Sequence, residues 1–182
     1  MFDTTLRLLK EYLGPLREQP PPGFDLIPAT ELQKRIRQLN FILVRVRELE
    51  DESEQFFTSG VPHGPGVRER ILDVSFEQEL FTEAFYYFAF RARQLIVKEK
   101  FPGLKTFKCD GVRDARNHLL EHSKIALQSF GSGHGGPTLK PARYERQTIK
   151  HHDQGLFVNA EEFRRNLDIL LTMEIARRSG AA

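Results

Sequence analysis

Apolar side chains recur along this chain at spacings of three and four, the period that lays one stripe along a helix. Phe2, Leu6, Leu9, Leu13 and Leu16 form the first stripe, which Gly14-Pro15 or the residues just after it bring to an end. The proline run at 20–22 followed by Gly23 then breaks the chain. Thr30 and Gln33 have the spacing of a capping box, and Leu32, Ile36, Leu39, Leu43 and Val46 carry a second stripe toward Phe56. The glycines and prolines of 59–66 read as a loop leading to another capping pair, Ser75 and Gln78.

A third helix is predicted over about 76–98. Its stripe of Leu80, Ala84, Tyr87, Phe88, Ala92 and Leu95 is widened by Phe81, Phe85, Tyr86 and Phe90 until most of the circumference is apolar. That pattern predicts a centrally buried helix, extending into a subunit interface. Phe101-Pro102-Gly103 ends it, and Asp110 is a predicted N-cap for a fourth helix over about 112–128. Residues 130–158 alternate only weakly and read as an irregular or β-hairpin-like insert. Asn159 and Glu162 repeat the capping spacing before Phe163, Leu167, Leu170, Leu171 and Ile175. The expectation is one all-α domain over 1–182, an antiparallel bundle of about five helices: N-terminal helix 1–18, core about 29–129, insert 130–158, C-terminal helix 159–178.

Composition narrows the function classes. With 40% hydrophobic and 29% charged residues among 182, the chain can bury an ordinary core, which excludes disordered and collagen-like classes. Its single cysteine, Cys109, can close no disulfide within the chain and excludes a cysteine-based zinc finger. A reducing cytoplasm is therefore expected, the more so because Arg7, Lys10 and Glu11 interrupt the first leucines where a signal peptide needs an unbroken apolar run. No apolar run of about 18 residues exists, so no membrane association is expected. The net charge of +2 is small, but residues 105–150 hold nine basic and four acidic side chains, and a polyanion would be drawn there.

That stretch contains Gly111-Val112-Arg113-Asp114-Ala115-Arg116-Asn117-His118, followed by His122. Arg116 is succeeded at once by Asn117 and, after five residues, by His122. An imidazole with a reference pKa of about 6.5 moves protons near neutrality, and a guanidinium grips phosphate bidentately without losing its charge. On an ideal helix, Arg116 and His122 stand about 120° apart around the axis and roughly 9 Å along it, so Arg116 must swing across to meet the imidazole. The positive end of the helix dipole also favours a phosphate there.

This arrangement resembles the signature of HEPN domains, helical-bundle proteins in which Arg, a polar residue, three to five others and His make up the motif of metal-independent ribonucleases. The likeness spans about 30–128 and rests on the motif, the aromatic helix before it and the bundle plan. It implies RNA as the substrate, with His122 transferring protons, Arg116 stabilising the phosphorane and Asn117 orienting. Arg113, His118, Lys140 and Arg143 would bind the substrate. It further implies no metal or other cofactor, a homodimer whose two motifs face one cleft, and a toxin or defence setting with a protein antitoxin.

Other readings stay open. His122 also continues a stripe of Val112, Ala115, Leu119 and Ala126, as a hydrogen-bonded core or interface histidine would. Asp114, His118 and His122 share a face at steps of four, which suits a proton relay or a two-histidine metal site. His134, His151, His152 and Asp153 offer metal ligands in the insert, where Arg146 and Lys150 add to the basic charge. Cys109 beside a helix N-terminus is either a thiol of lowered pKa or a buried one. The main alternative to a ribonuclease is a catalytically silent helical dimer that binds nucleic acid, a nucleotide or a protein. A third is a structural protein that meets a partner through its third helix.

Overall fold

A computed structural model describes residues 1–58, 64–99, 101–117 and 143–180; the side chains of 57, 58, 65 and 143–155 are not among those described. Five helices appear, and no strand occurs among the described residues. They are α1 (Asp3–Glu18), α2 (Leu26–Thr58), α3 (Pro65–Lys98), α4 (described over 110–117) and α5 (Arg143–Arg178). They pack against one another as an all-α bundle. No helix of the described residues is long and apolar enough to cross a membrane.

The stripes place the core well in the first two helices. Phe2, Leu9, Leu13 and Leu16 are buried, as are all five residues of the α2 stripe from Leu32 to Val46. Pro15 lies inside α1, which continues to Glu18. The carbonyl that loses its partner belongs to Glu11, an exposed residue, so it is left open to solvent.

Helix starts differ from the sequence expectation in three places. Helix α2 begins at Leu26, where Asp25 Oδ1 accepts the Ile27 N–H at 2.9 Å, and Thr30 Oγ1 instead donates back to the Leu26 carbonyl at 3.2 Å. Helix α3 begins ten residues before Ser75, with Gly64 as N-cap and Pro65 in the first turn, where a proline lacks no needed N–H. Ser75 is therefore mid-helix and donates to the Ile71 carbonyl at 2.9 Å. Helix α5 begins at Arg143, so 143–158 is helical and not the irregular or hairpin-like segment expected; 130–142 lies outside the described residues. Asn159 consequently sits within α5 and serves as a tertiary contact, donating from Nδ2 to the Tyr86 hydroxyl at 2.9 Å. In all three cases a capping pattern occurs inside a helix, because the same small polar side chains can bond to the preceding turn or to a neighbour.

Helices α2 and α3 form an antiparallel hairpin. Arg45 meets Glu77 at 2.9 Å and Arg70 meets Glu52 at 2.7 Å, so positions that increase along α2 pair with positions that decrease along α3. The hairpin buries Phe85, Tyr86, Ala89, Ala92 and Ile96 of α3, but Leu80 and Tyr87, expected in the core, are half exposed. The aromatic richness of α3 thus serves two faces and not one centre. Helix α5 closes the core with Leu156, Ala160, Phe163, Leu167 and Leu171. The Phe163 ring stands edge-on to Phe2 and Phe107, with centroids at 6.0 and 5.0 Å.

Candidate functional site

The start of α4 is fixed by what precedes it. Phe101, Leu104 and Phe107 are buried, and the turn between them bends through Gly103 at φ 76, a left-handed conformation that favours glycine. Asn166 of α5 donates from Nδ2 to the Lys108 carbonyl at 3.0 Å. Cys109 and Val112 are buried, and Gly111 lies so close to α5 that a Cβ there would collide with the Asn159 side chain and crowd that of Glu162. Helix α4 is thereby pressed onto α5 with its exposed side turned outward.

On that side the three described motif residues take different roles. Arg113 is exposed and held by two carboxylates of its own helix, Asp114 at 3.1 Å and Asp110 at 3.5 Å, which raise its pKa. Its charge is already matched. Arg116 is half-buried, and its guanidinium carbon lies 4.3 Å from the centroid of the Phe90 ring on α3. No carboxylate among the described residues meets it. Stacking on an aromatic face fixes the guanidinium plane while leaving its N–H edges able to donate. Asn117 follows it and is exposed. One turn along α3 from Phe90, Arg93 has a buried Nε without a hydrogen-bond partner among the described residues.

His118, His122 and Lys140 lie outside the described residues, as do His134 and the side chains of Arg143, Arg146, Lys150, His151, His152 and Asp153. Arg143 is the first residue of α5. The structure therefore joins Arg116 and Asn117 at one helix start beside Arg113, and carries no statement on the imidazoles. Of the proton relay, Asp114 alone is described, and it is engaged by Arg113.

Cys109 is decided. Burial pushes its thiol up to about 12, against a smaller lowering by the nearby Arg93. A thiol so placed is protonated at neutral pH, and the reading of Cys109 as activated by the helix N-terminus is overturned by its depth in the core.

Phe90 is the residue that sequence reasoning missed in this role. It was legible as part of an aromatic helix, but its service as a platform for Arg116, twenty-six positions later, depends on how α4 crosses α3. The Asn159–Tyr86 bond and the Gly111 contact were hidden for the same reason.

No protein-family model matches the chain, and no curated protein or solved structure matches it significantly.

Proposed function

We propose that the chain binds RNA at the start of α4 and cleaves it without a metal, by attack of the substrate's own 2′-hydroxyl. The observation that carries this reading is Arg116, stacked on Phe90 and unmatched by any carboxylate of the described residues while Arg113 beside it is matched twice. Such a guanidinium is pre-oriented for a phosphate oxygen. In the reaction, the 2′-oxygen forms a bond to phosphorus and the bond to the 5′-oxygen breaks. The products are a 2′,3′-cyclic phosphate and a 5′-hydroxyl. Arg116 stabilises the extra negative charge of the pentacoordinate state, Asn117 orients a phosphate or sugar oxygen, and His122 moves the proton. Lys140, Arg143 and His118 are the further substrate-binding groups of this reading. A toxin or defence setting with a protein antitoxin is what the resemblance to HEPN domains supplies, and the cytoplasm is what the single cysteine suggests.

The test is incubation of end-labelled single-stranded RNA with the purified chain in excess chelator, alongside Arg116→Ala and His122→Ala. Cleavage by the parent should fall by about 100-fold or more in each variant, with helicity unchanged. Cleavage equal in parent and variants overturns the assignment of this motif. RNA retained without cutting, with affinity falling as salt rises, assigns a silent binding protein in its place.

A further inference from the structure

The α2–α3 hairpin turns one face to the core and leaves the other uncovered by the described residues. On α3, Leu72, Phe76, Leu80 and Tyr87 stand at steps of four, four and seven, within an arc of about 80°. Phe41 and Val44 of α2 lie beside them, in the register that the Arg45–Glu77 pair sets. These six side chains are between 48% and 69% exposed. Between the helices opens a groove of about 500 Å³, lined by Phe41, Phe81, Ala84 and Phe88, with Lys34 and Arg37 also in its wall. Single exposed apolar residues are ordinary on a protein surface, whereas a ridge of several, here interrupted by the exposed Glu83, marks an interface. Covering all six would remove on the order of 700 Å² per chain, close to the roughly 800 Å² per partner of a stable complex.

Charge on this face is polarised. Where α2 begins and α3 ends it carries Arg37 and Arg91, both exposed, and Lys34, which is exposed and lies 3.7 Å from Glu31. At the opposite end stand Asp51, Glu69 and Asp73, also exposed, while Arg45 and Arg70 there are committed to Glu48, Glu52 and Glu77. Glu83 lies nearer the middle.

We propose that this face joins two copies of the chain, hairpin on hairpin, about a two-fold axis that runs across the helices. That axis lays the basic end of each copy over the acidic end of the other, and it does so twice, as an isologous contact must. An axis along the helices would set Arg37 and Arg91 against their own copies, a like-charge arrangement that opposes association. In the favoured pairing Phe76 of one chain falls over the groove beside Ala84 of the other, and Arg91 faces Glu69. The two Arg116 sites then sit at opposite ends, roughly 30 Å apart at 1.5 Å per residue, and share no cleft, unlike the homodimer that the resemblance to HEPN domains implies. The pairing does not depend on the RNA reading.

Sedimentation equilibrium of the full chain tests it. The parent should be a dimer, and Phe76→Asp, at an exposed position that leaves the fold intact by circular dichroism, should raise Kd by about 100-fold. Arg91→Glu and Glu69→Arg should each weaken the dimer by about tenfold, and the two together should restore it to within about threefold of the parent. A parent that is monomeric at about 100 μM overturns the proposal, as does a dimer indifferent to Phe76→Asp. An Arg91→Cys chain that forms a disulfide with its own copy also overturns it, since that bond requires like ends to meet.

Discussion

Glu174 gives the sharpest stability prediction. Its side chain is 5% exposed near the end of α5 and accepts from Arg177 Nε and Nη2 and from Arg178 Nε, each at 2.8 Å. Hydrogen bonds from Arg177 come first among the causes that hold its carboxyl at about 2, against 4.5 for an ordinary glutamate. The unfolded chain therefore binds more protons than the folded one between those two values, so stability rises with pH across that window and is complete above it. At about 1.4 kcal/mol per pH unit the difference corresponds to roughly 3 kcal/mol. Arg177 is 66% exposed and its contribution is screened, which brings the expected figure to about 2 kcal/mol. Urea unfolding of the parent and Glu174→Gln at neutral pH should show this loss. Because Glu52, Glu77 and Glu161 are also held below the usual range by arginine hydrogen bonds, the parent alone cannot isolate the effect. The difference between parent and variant does: it should shrink toward zero as pH falls from about 4.5 to 2. A gap at neutral pH below about 0.5 kcal/mol, or one that persists at pH 2, refutes the assignment of this stability to the Glu174 carboxylate.

Further outcomes concern packing and reactivity. Gly103→Ala, at φ 76 and against the Glu174 side chain, should cost about 1–3 kcal/mol, and Gly111→Ala a comparable amount through Asn159 and Glu162. Gly14→Ala in α1, where a Cβ meets nothing within 4 Å, should stabilise by about 0.5–1 kcal/mol in the same urea assay. Cys109 should resist a thiol-selective disulfide reagent at pH 8 in the native state and react fully in denaturant; rapid native reaction contradicts its burial. Phe163→Ala should cost about 3–5 kcal/mol, since the ring joins Phe2 and Phe107 at the core centre. Phe90→Leu should weaken RNA retention at the Arg116 site by about threefold, the worth of roughly 0.6 kcal/mol of cation–π stacking, as read by filter binding.

How far the sequence reached can be followed residue by residue. The α2 stripe from Leu32 to Val46 is buried throughout, because a 3.6-residue period needs only local geometry to define a face. The same rule failed for Leu80 and Tyr87, where a helix apolar on nearly every side does not say which side the neighbours occupy. The capping pairs at Thr30, Ser75 and Asn159 failed because a polar side chain signals a helix end only when no better hydrogen-bond partner comes within reach. The motif Arg116-Asn117 was legible as residue types at a spacing. That Arg113 is neutralised by Asp110 and Asp114 was partly readable from their steps of three and one, whereas the Phe90 platform was not.

The sequence by itself determined that this is a helical bundle, which residues line the first two stripes, and where basic charge gathers, since periodicity and composition act along a single segment. Tertiary structure alone decided which α3 face is left uncovered, that Arg116 lies on Phe90 and that Cys109 is inert. Those outcomes depend on where the helices cross, and a crossing is set by the fit of side chains far apart in the chain.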